Sequence, residues 1–162
     1  MSVEFRIGSG FDSHRFAAGR PLILCGCIIP FDKGLLGHSD ADAPVHALID
    51  ALLGALALGD IGRHFPDRDP AYRGADSMEL LRHVLELPAF TAWEIGNADL
   101  TIVTEMPKMA PYIEAMRACL AEGLHTDIAN VSVKAKTAEK LGPVGAGESL
   151  EAHAVVLLVR RS

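Results

Sequence analysis

The chain is poor in aromatic residues, in cysteine, in net positive charge and in long apolar runs, and each shortage narrows what it can be. Phe, Trp and Tyr make up 6% of its 162 residues, so its core has to be mostly aliphatic. Three cysteines, an odd number in a chain of this length, do not make a disulfide framework. Cys25 and Cys27 flank Gly26 and Cys119 stands alone; the expectation is three reduced thiols in a cytoplasmic protein, with no role for the Cys25/Cys27 pair. Lys and Arg number 15 against 21 Asp and Glu, a net charge of −6. That balance argues against a nucleic-acid binder with a broad basic face and against a polybasic membrane module. The longest apolar stretch, Ala51 to Leu58, is too short to span a bilayer. Met1 to Arg6 contain no basic stretch leading into an apolar one, so no secretory leader is expected.

What is present is 49% apolar and 22% charged residues, the composition of a globular chain, at a length that suits one domain over residues 1–162. Strands are expected at Phe5 to Gly10, Pro21 to Ile29, Asp99 to Thr104, Val131 to Lys136 and Ala152 to Val159. Helices are expected at about Ala41 to Leu58, stopped by Gly59, at Asp76 to Leu87 and at Pro107 to Gly123. Gly34 to Asp42, Asp60 to Ala75 and Glu139 to Glu148 read as loops. The class is α+β, in two α/β layers: a four- to five-stranded mixed sheet with helices on one face. The almost unbroken apolar run Ala152 to Val159 suits a strand buried on both faces. Three helices cover only one face, so other copies of the chain are expected on the other.

The sharpest local feature is Gly10-Phe11-Asp12-Ser13-His14. In an extended chain Asp12 and His14 point to the same side. A carboxylate and an imidazole together are two thirds of a zinc site, and His38 or His46 could complete it. Three protein ligands leave one position open, as catalytic zinc requires. His46 lies four residues after Asp42 and four before Asp50, so either carboxylate could take its second N–H. Asp50, set in the apolar stretch Ala47 to Leu58, needs a partner if buried. Neither Gly8-Ser9-Gly10 nor Gly145-Ala146-Gly147 fits a dinucleotide fingerprint, and no phosphate-binding G-x-x-x-x-G-K-[ST], H-E-x-x-H or G-x-S-x-G occurs. Lys134 to Lys140 combine cations, the Thr137 hydroxyl and Glu139, which could hold phosphate and a hard metal. Asp60, Asp67 and Asp69 share one loop, where they could bind sugar hydroxyls or metal, or form turns.

Taken together, these segments resemble the 2-C-methyl-D-erythritol 2,4-cyclodiphosphate synthase family almost end to end. The resemblance rests on R-I-G-x-G-F-D-x-H (Arg6 to His14), K-G-L-L-x-H-S-D-x-D (Lys33 to Asp42) and H-A-L-x-D-A-L-L-G-A (His46 to Ala55). It continues through G-D-I-G-x-x-F-P-D-x-D-P (Gly59 to Pro70), P-K-M (Pro107 to Met109) and V-K-A-K-T-x-E-K-L-G (Val133 to Gly142). It implies zinc, one ion per subunit, on Asp12, His14 and His46. It implies transition-state stabilisation by His38 and Thr137, and substrate contacts at Asp12 to His14, His38 and Ser39. Sugar hydroxyls would be held at Asp60, Ile61, Gly62, Phe65, Pro66, Asp67 and Asp69. The cytosine end would fall to Thr104, Met106, Pro107, Lys108, Met109 and Ala110, with Lys136, Thr137 and Glu139 also at the substrate. Glu139 would hold Mg²⁺ or Mn²⁺ with the substrate diphosphate. The resemblance further implies a homotrimer, its sheets packed around the threefold axis, with active sites between subunits.

The implied reaction is attack of a 2-phosphate on the β-phosphorus of a cytidine-diphosphate-linked methylerythritol, releasing CMP. Two rival readings keep the same residues: a zinc phosphohydrolase, for which no base for water is clearly placed, and a non-catalytic metal- or nucleotide-binding module. The chain departs from the family at Pro143 and Ala146, where an aromatic residue and an arginine are common; one phosphate or central-cavity contact is thereby removed.

Overall fold

In a computed structural model of the chain, residues 4–162 are described; the leader reading of Met1 to Arg6 lies partly outside them. The strands are β1 (Phe5–Ala18), β2 (Leu22–Leu24), β3 (Cys27–Ile29), β4 (Lys33–Leu35), β5 (Trp93–Val103), β6 (Val131–Lys136) and β7 (Ser149–Arg160). The helices are α1 (Ala43–Ala55), α2 (Ile61–His64), α3 (Ser77–Leu85), α4 (Ile113–Gly123) and α5 (Gly142–Gly145). One sheet has five strands in the order β4-β1-β7-β5-β6, mixed because β5 and β6 run parallel while every other pair is antiparallel. β2 and β3 form a separate hairpin. The expected α+β class, with a mixed sheet and helices on one face, is what the chain adopts.

The register of α1 on β1 positions the site. Side chains of β1 alternate, and Gly8, Gly10, Asp12 and His14 share the face toward α1. A Cβ on Gly8 would meet the Ala51 carbonyl oxygen at 1.8 Å, and one on Gly10 the Ala47 carbonyl oxygen at 1.8 Å. Two strand residues advance about 6.7 Å and four helical residues about 6 Å, so two glycines step in time with Ala47 and Ala51. Continuing that step carries Asp12 and His14 to the first turn of α1, where His46 is. Ala152, Ala154 and Val156 of β7 are buried on the same face, and Met116 and Leu120 of α4 close over Val131 and Val133 of β6.

Several expected boundaries move, each for a physical reason. β1 continues to Ala18 because its glycines serve close helix approach rather than a turn. Pro21 to Ile29 divides into β2 and β3, because Cys25 and Gly26 take left-handed backbone at φ 53° and 74°. α1 ends at Ala55, before Gly59, since Ala57 is already left-handed at φ 57°. Pro107 and Pro111 disfavour helix in the residues before them, so α4 begins only at Ile113, after a single 3₁₀ turn at Ala110–Tyr112. Lys33–Leu35 is an edge strand inside the expected chain of loops, and Gly142–Gly145 a helical turn. β5 starts early, at Trp93.

The apolar run Ala152 to Val159 is not buried on both faces. Its even-numbered residues are buried, while Val155 is 48% exposed. Phe5, Ile7 and Phe11 of β1 are exposed beside it, so this face of the sheet carries several apolar side chains, interrupted by Ser9 and His153. The run reflects a strand with one face against the helices and the other against the outside of the chain.

Candidate active site

Asp42 caps α1, with Oδ1 accepting the Val45 N–H at 3.2 Å and Pro44 following in the first turn. The cap is wholly buried, and it also accepts the N–H groups of Cys25 (2.9 Å) and Gly26 (2.6 Å), tying the β2–β3 turn to the helix start. Burial pushes the Asp42 carboxyl up to about 7, against the pull of those two N–H groups. Asp42 therefore does not serve His46, and neither does Asp50, whose Oδ1 accepts the Ile61 N–H at 2.7 Å and anchors the loop into α2. The second nitrogen of His46, Nε2, instead meets Ser77 Oγ at 2.8 Å and Ser39 Oγ at 3.1 Å.

Asp12, His14 and His46 bring one ligand atom each to within 4.8 Å of one another. Asp12 Oδ2 lies 2.9 Å from His14 Nε2 and 3.0 Å from His46 Nδ1. His14 Nδ1 sits 2.7 Å from the Leu36 carbonyl, which can only accept, so Nδ1 carries the proton and Nε2 a lone pair. That buried Nε2 has no hydrogen bond of acceptable direction, despite its closeness to Asp12. An orphaned lone pair beside a carboxylate and a second imidazole fits a divalent cation, and the donor set fits zinc with an open position. Burial pushes Asp12 up, but its contacts with His14 and His46 pull harder and hold it at about 2. Burial lowers His14, and Asp12 more than reverses this, leaving it raised. His38, the other candidate for the third ligand, is not in the cluster.

A hollow of about 260 Å³ opens over the triad, lined by His38, Ser39, Ile61, Gly62, Phe65 and Asp67 besides the three ligand residues. Gly37, Tyr72 and Leu80, which no sequence pattern marked, complete it. Arg20 holds the loop bearing His38: its guanidinium donates to the carbonyls of Gly37 (3.3 Å) and Ser39 (2.7 Å). Asp60 and Asp69 do not line the hollow; each accepts a backbone N–H, from Arg63 and from Ala71, and so caps a short helical turn. Pro66 lies beside Asp67 without lining it, and Ser13 alternates to the opposite face of β1, leaving only its main chain near.

A second hollow, about 480 Å³, lies at the β5–β6 edge, lined by Thr104, Pro107, Lys108, Met109, Ala110, Lys136 and Thr137 among others. It shares no residue with the first, and β7 separates β1 from β5. Thr104 is buried and its hydroxyl donates to the Met106 carbonyl at 2.7 Å. Thr137 donates to Glu139 Oε1 at 2.6 Å. Met106 and Glu139 stand outside the lining. Glu105, inside the Thr104 to Ala110 segment but given no role of its own by the sequence, accepts the N–H groups of Ala138 and Lys140 and so fixes the loop carrying Glu139. Its only sequence signal is its place before Met106-Pro107, too weak to single it out.

The chain is similar to known proteins in sequence and in fold. The chain is 55% identical over 159 residues to a curated 2-C-methyl-D-erythritol 2,4-cyclodiphosphate synthase of Shewanella sp. (strain ANA-3), covering 98% of this chain and all of that one. It is 56% identical over 156 residues to the synthase of the same name from Shewanella amazonensis, covering 96% and 98%. A solved 2C-methyl-D-erythritol-2,4-cyclodiphosphate synthase in a CDP-bound form superposes with a TM-score of 0.86 at 43% identity, over 94% of this chain and 99% of that one. The bifunctional IspDF of Campylobacter jejuni superposes with a TM-score of 0.94 at 39% identity, over 99% of this chain but 44% of that longer one. The YgbB family profile matches residues 5–159. On a match this long, to relatives this similar, the chain belongs to the YgbB family.

Proposed function

We propose that the chain converts 4-diphosphocytidyl-2-C-methyl-D-erythritol 2-phosphate into 2-C-methyl-D-erythritol 2,4-cyclodiphosphate and CMP, a step of non-mevalonate isoprenoid biosynthesis. The observation that carries this reading is the convergence of Asp12, His14 and His46 below an open hollow, in a chain 55% identical to synthases of this name. An oxygen of the 2-phosphate attacks the β-phosphorus; the new P–O bond closes the ring, and the bond to the α-phosphate oxygen breaks to release CMP. The attacking oxygen is already anionic, so no general base is needed. The hydrolase reading needs one; besides the metal ligands the hollow over the triad holds His38 and Asp67, which the cyclase reading gives to phosphate and to the methylerythritol.

Catalysis then rests on positioning and charge neutralisation. Asp12, His14 and His46 would hold a zinc ion, which would supply Lewis acidity toward a substrate phosphate. Glu139 is the residue we assign to Mg²⁺ or Mn²⁺ arriving with the diphosphate. His38 and Thr137 donate hydrogen bonds to phosphoryl oxygens, Thr137 exchanging Glu139 for the substrate. Ser39 and the main chain at Ser13 border the 2-phosphate end. Ile61, Gly62, Phe65 and Asp67 enclose the methylerythritol, with Asp60, Pro66 and Asp69 shaping the loop around it. Thr104, Met106, Pro107, Lys108, Met109 and Ala110 take the cytosine end, and Lys136 faces its phosphates.

One substrate has to occupy both hollows, yet β7 lies between them within one chain. Pairing the triad of one copy with the cytidine hollow of its neighbour removes that difficulty. The exposed apolar surface of Phe5, Ile7, Phe11 and Val155 supplies the contact. The two hollows and the apolar face support active sites between copies; the number of copies, three single-domain subunits with one zinc each, is what the family resemblance implies. Three free cysteines fit the cytoplasm, and no helix among the described residues is long and apolar enough to cross a membrane.

Phosphorus NMR of the reaction tests the reading. With Zn²⁺ and Mg²⁺ the diphosphocytidyl substrate is expected to give CMP and a cyclic diphosphate, and chelation of zinc to abolish both. Linear phosphates without a cyclic product would establish the hydrolase instead.

A further inference from the structure

The buried hydroxyl of Ser77 has no place in the reaction just described, yet it touches a triad residue. We infer that Ser77, held by Asp40, is a positioning residue that accepts the Nε2–H of His46 and so leaves Nδ1 as the nitrogen offered to a metal ion shared with Asp12. This rests on the reading of Asp12, His14 and His46 as a metal site.

The sense of the Ser77–Asp40 hydrogen bond follows from what surrounds Asp40. Among the described residues its carboxylate is met by the N–H of Asp42 at 3.2 Å, the N–H of Ser77 at 3.0 Å and the Ser77 hydroxyl. It acts as an acceptor of all three. The single proton of Ser77 Oγ is therefore committed to Asp40, and toward His46 Oγ can offer only a lone pair. A bare Nε2 facing that lone pair at 2.8 Å would be repelled, so Nε2 carries the proton and donates it. Ser39 Oγ, the other neighbour of Nε2, accepts the Ala41 N–H and retains a lone pair to share the same donor. With the proton of a neutral ring on Nε2, Nδ1, 3.0 Å from Asp12 Oδ2, is the nitrogen left to bind a metal ion; without a metal it can carry a proton to that carboxylate.

The two histidines thus present opposite nitrogens to one point, His14 through Nε2 and His46 through Nδ1, each fixed by the partner on its far side. Ser77 is wholly buried at the start of α3, so this also ties the third helix to the triad. A group behind a metal-binding imidazole sets its tautomer and its basicity.

The test uses the full chain and zinc alone as probe, measured by competition with a chromophoric chelator at neutral pH. Ser77→Ala is expected to weaken zinc binding by about 10–100-fold, with Ser77→Thr, which keeps the hydroxyl, close to wild type. Long-range proton–nitrogen NMR of the zinc-loaded wild type is expected to show His46 metal-bound through Nδ1 with a slowly exchanging Nε2–H. In Ser77→Ala that proton is expected to exchange faster. Wild-type zinc affinity in Ser77→Ala, or a zinc-loaded wild type with His46 bound through Nε2, would overturn the inference; the second measurement needs no variant. His46→Ala separates the two readings. If it loses zinc while Ser77→Ala does not, only the role of Ser77 fails; if it keeps zinc, the metal site fails and the inference with it.

Discussion

Gly10 and Ala47 meet backbone to backbone: a Cβ on the glycine would lie 1.8 Å from the alanine carbonyl oxygen. This contact sets how close α1 lies to β1, and hence whether Asp12 and His46 reach one another. Gly10→Ala is expected to destabilise the chain by about 3 kcal/mol, the upper end of ordinary overpacking, because backbone atoms cannot step aside as a side chain can. Urea unfolding measures it, with zinc content dropping in parallel. An unchanged unfolding midpoint would show that α1 shifts freely and does not set the site.

The triad should also be visible in the pH dependence of the zinc-free protein. Asp12 falls from 3.8 to about 2 on folding. Its contribution, about 2 kcal/mol, is present above about pH 4 and is lost as the pH falls toward 2. His14 is raised above 6.5, so its contribution is present below that value and is lost as the pH rises through the folded one. Stability from the pair is greatest between the two limbs, and Asp12→Asn should remove both. Denaturant unfolding across pH tests this, and coincident profiles for the two proteins would refute it. With zinc bound the trend should reverse below neutrality, because the imidazoles must be neutral to bind.

Arg20 supports His38 through carbonyls on either side of it and touches no ligand residue. Arg20→Met should lower kcat by about tenfold or more, the worth of a charged hydrogen bond, while leaving zinc content intact. Arg20→Lys should not rescue it, since one ammonium cannot reproduce the forked geometry. Equal loss of zinc would place Arg20 in support of the triad instead.

Ile7 is 64% exposed on the apolar face of the sheet. A charge there, in Ile7→Asp, should dissociate the assembly and abolish activity together, while the isolated subunit stays folded. Sedimentation and circular dichroism read the two. An active monomer would remove the need for a site between copies.

Much of the site was legible in spacing. A period of two put Asp12 and His14 on one side of a strand, and the helix bearing His46 could be read from its apolar pattern. The partners of His46 were not legible. Asp42 and Asp50 had the right helical spacing, but a capping position and an incoming loop claimed both carboxylates. Ser77 and Ser39, which took their place, are 31 and 7 residues from His46 in sequence, and neither shares a helix or strand with it. Cys25 became intelligible only as a left-handed turn position, where a glycine would be at ease.

The sequence by itself determined the local chemistry: which side chains could bind a cation or a phosphate, and which of them share a face. Those properties depend on backbone periods and side-chain type. The tertiary structure decided which candidates meet. It chose His46 over His38, separated the two hollows across β7 and left an apolar face exposed. These outcomes depend on the close approach of α1 to Gly8 and Gly10 and on strand order, which join residues far apart along the chain.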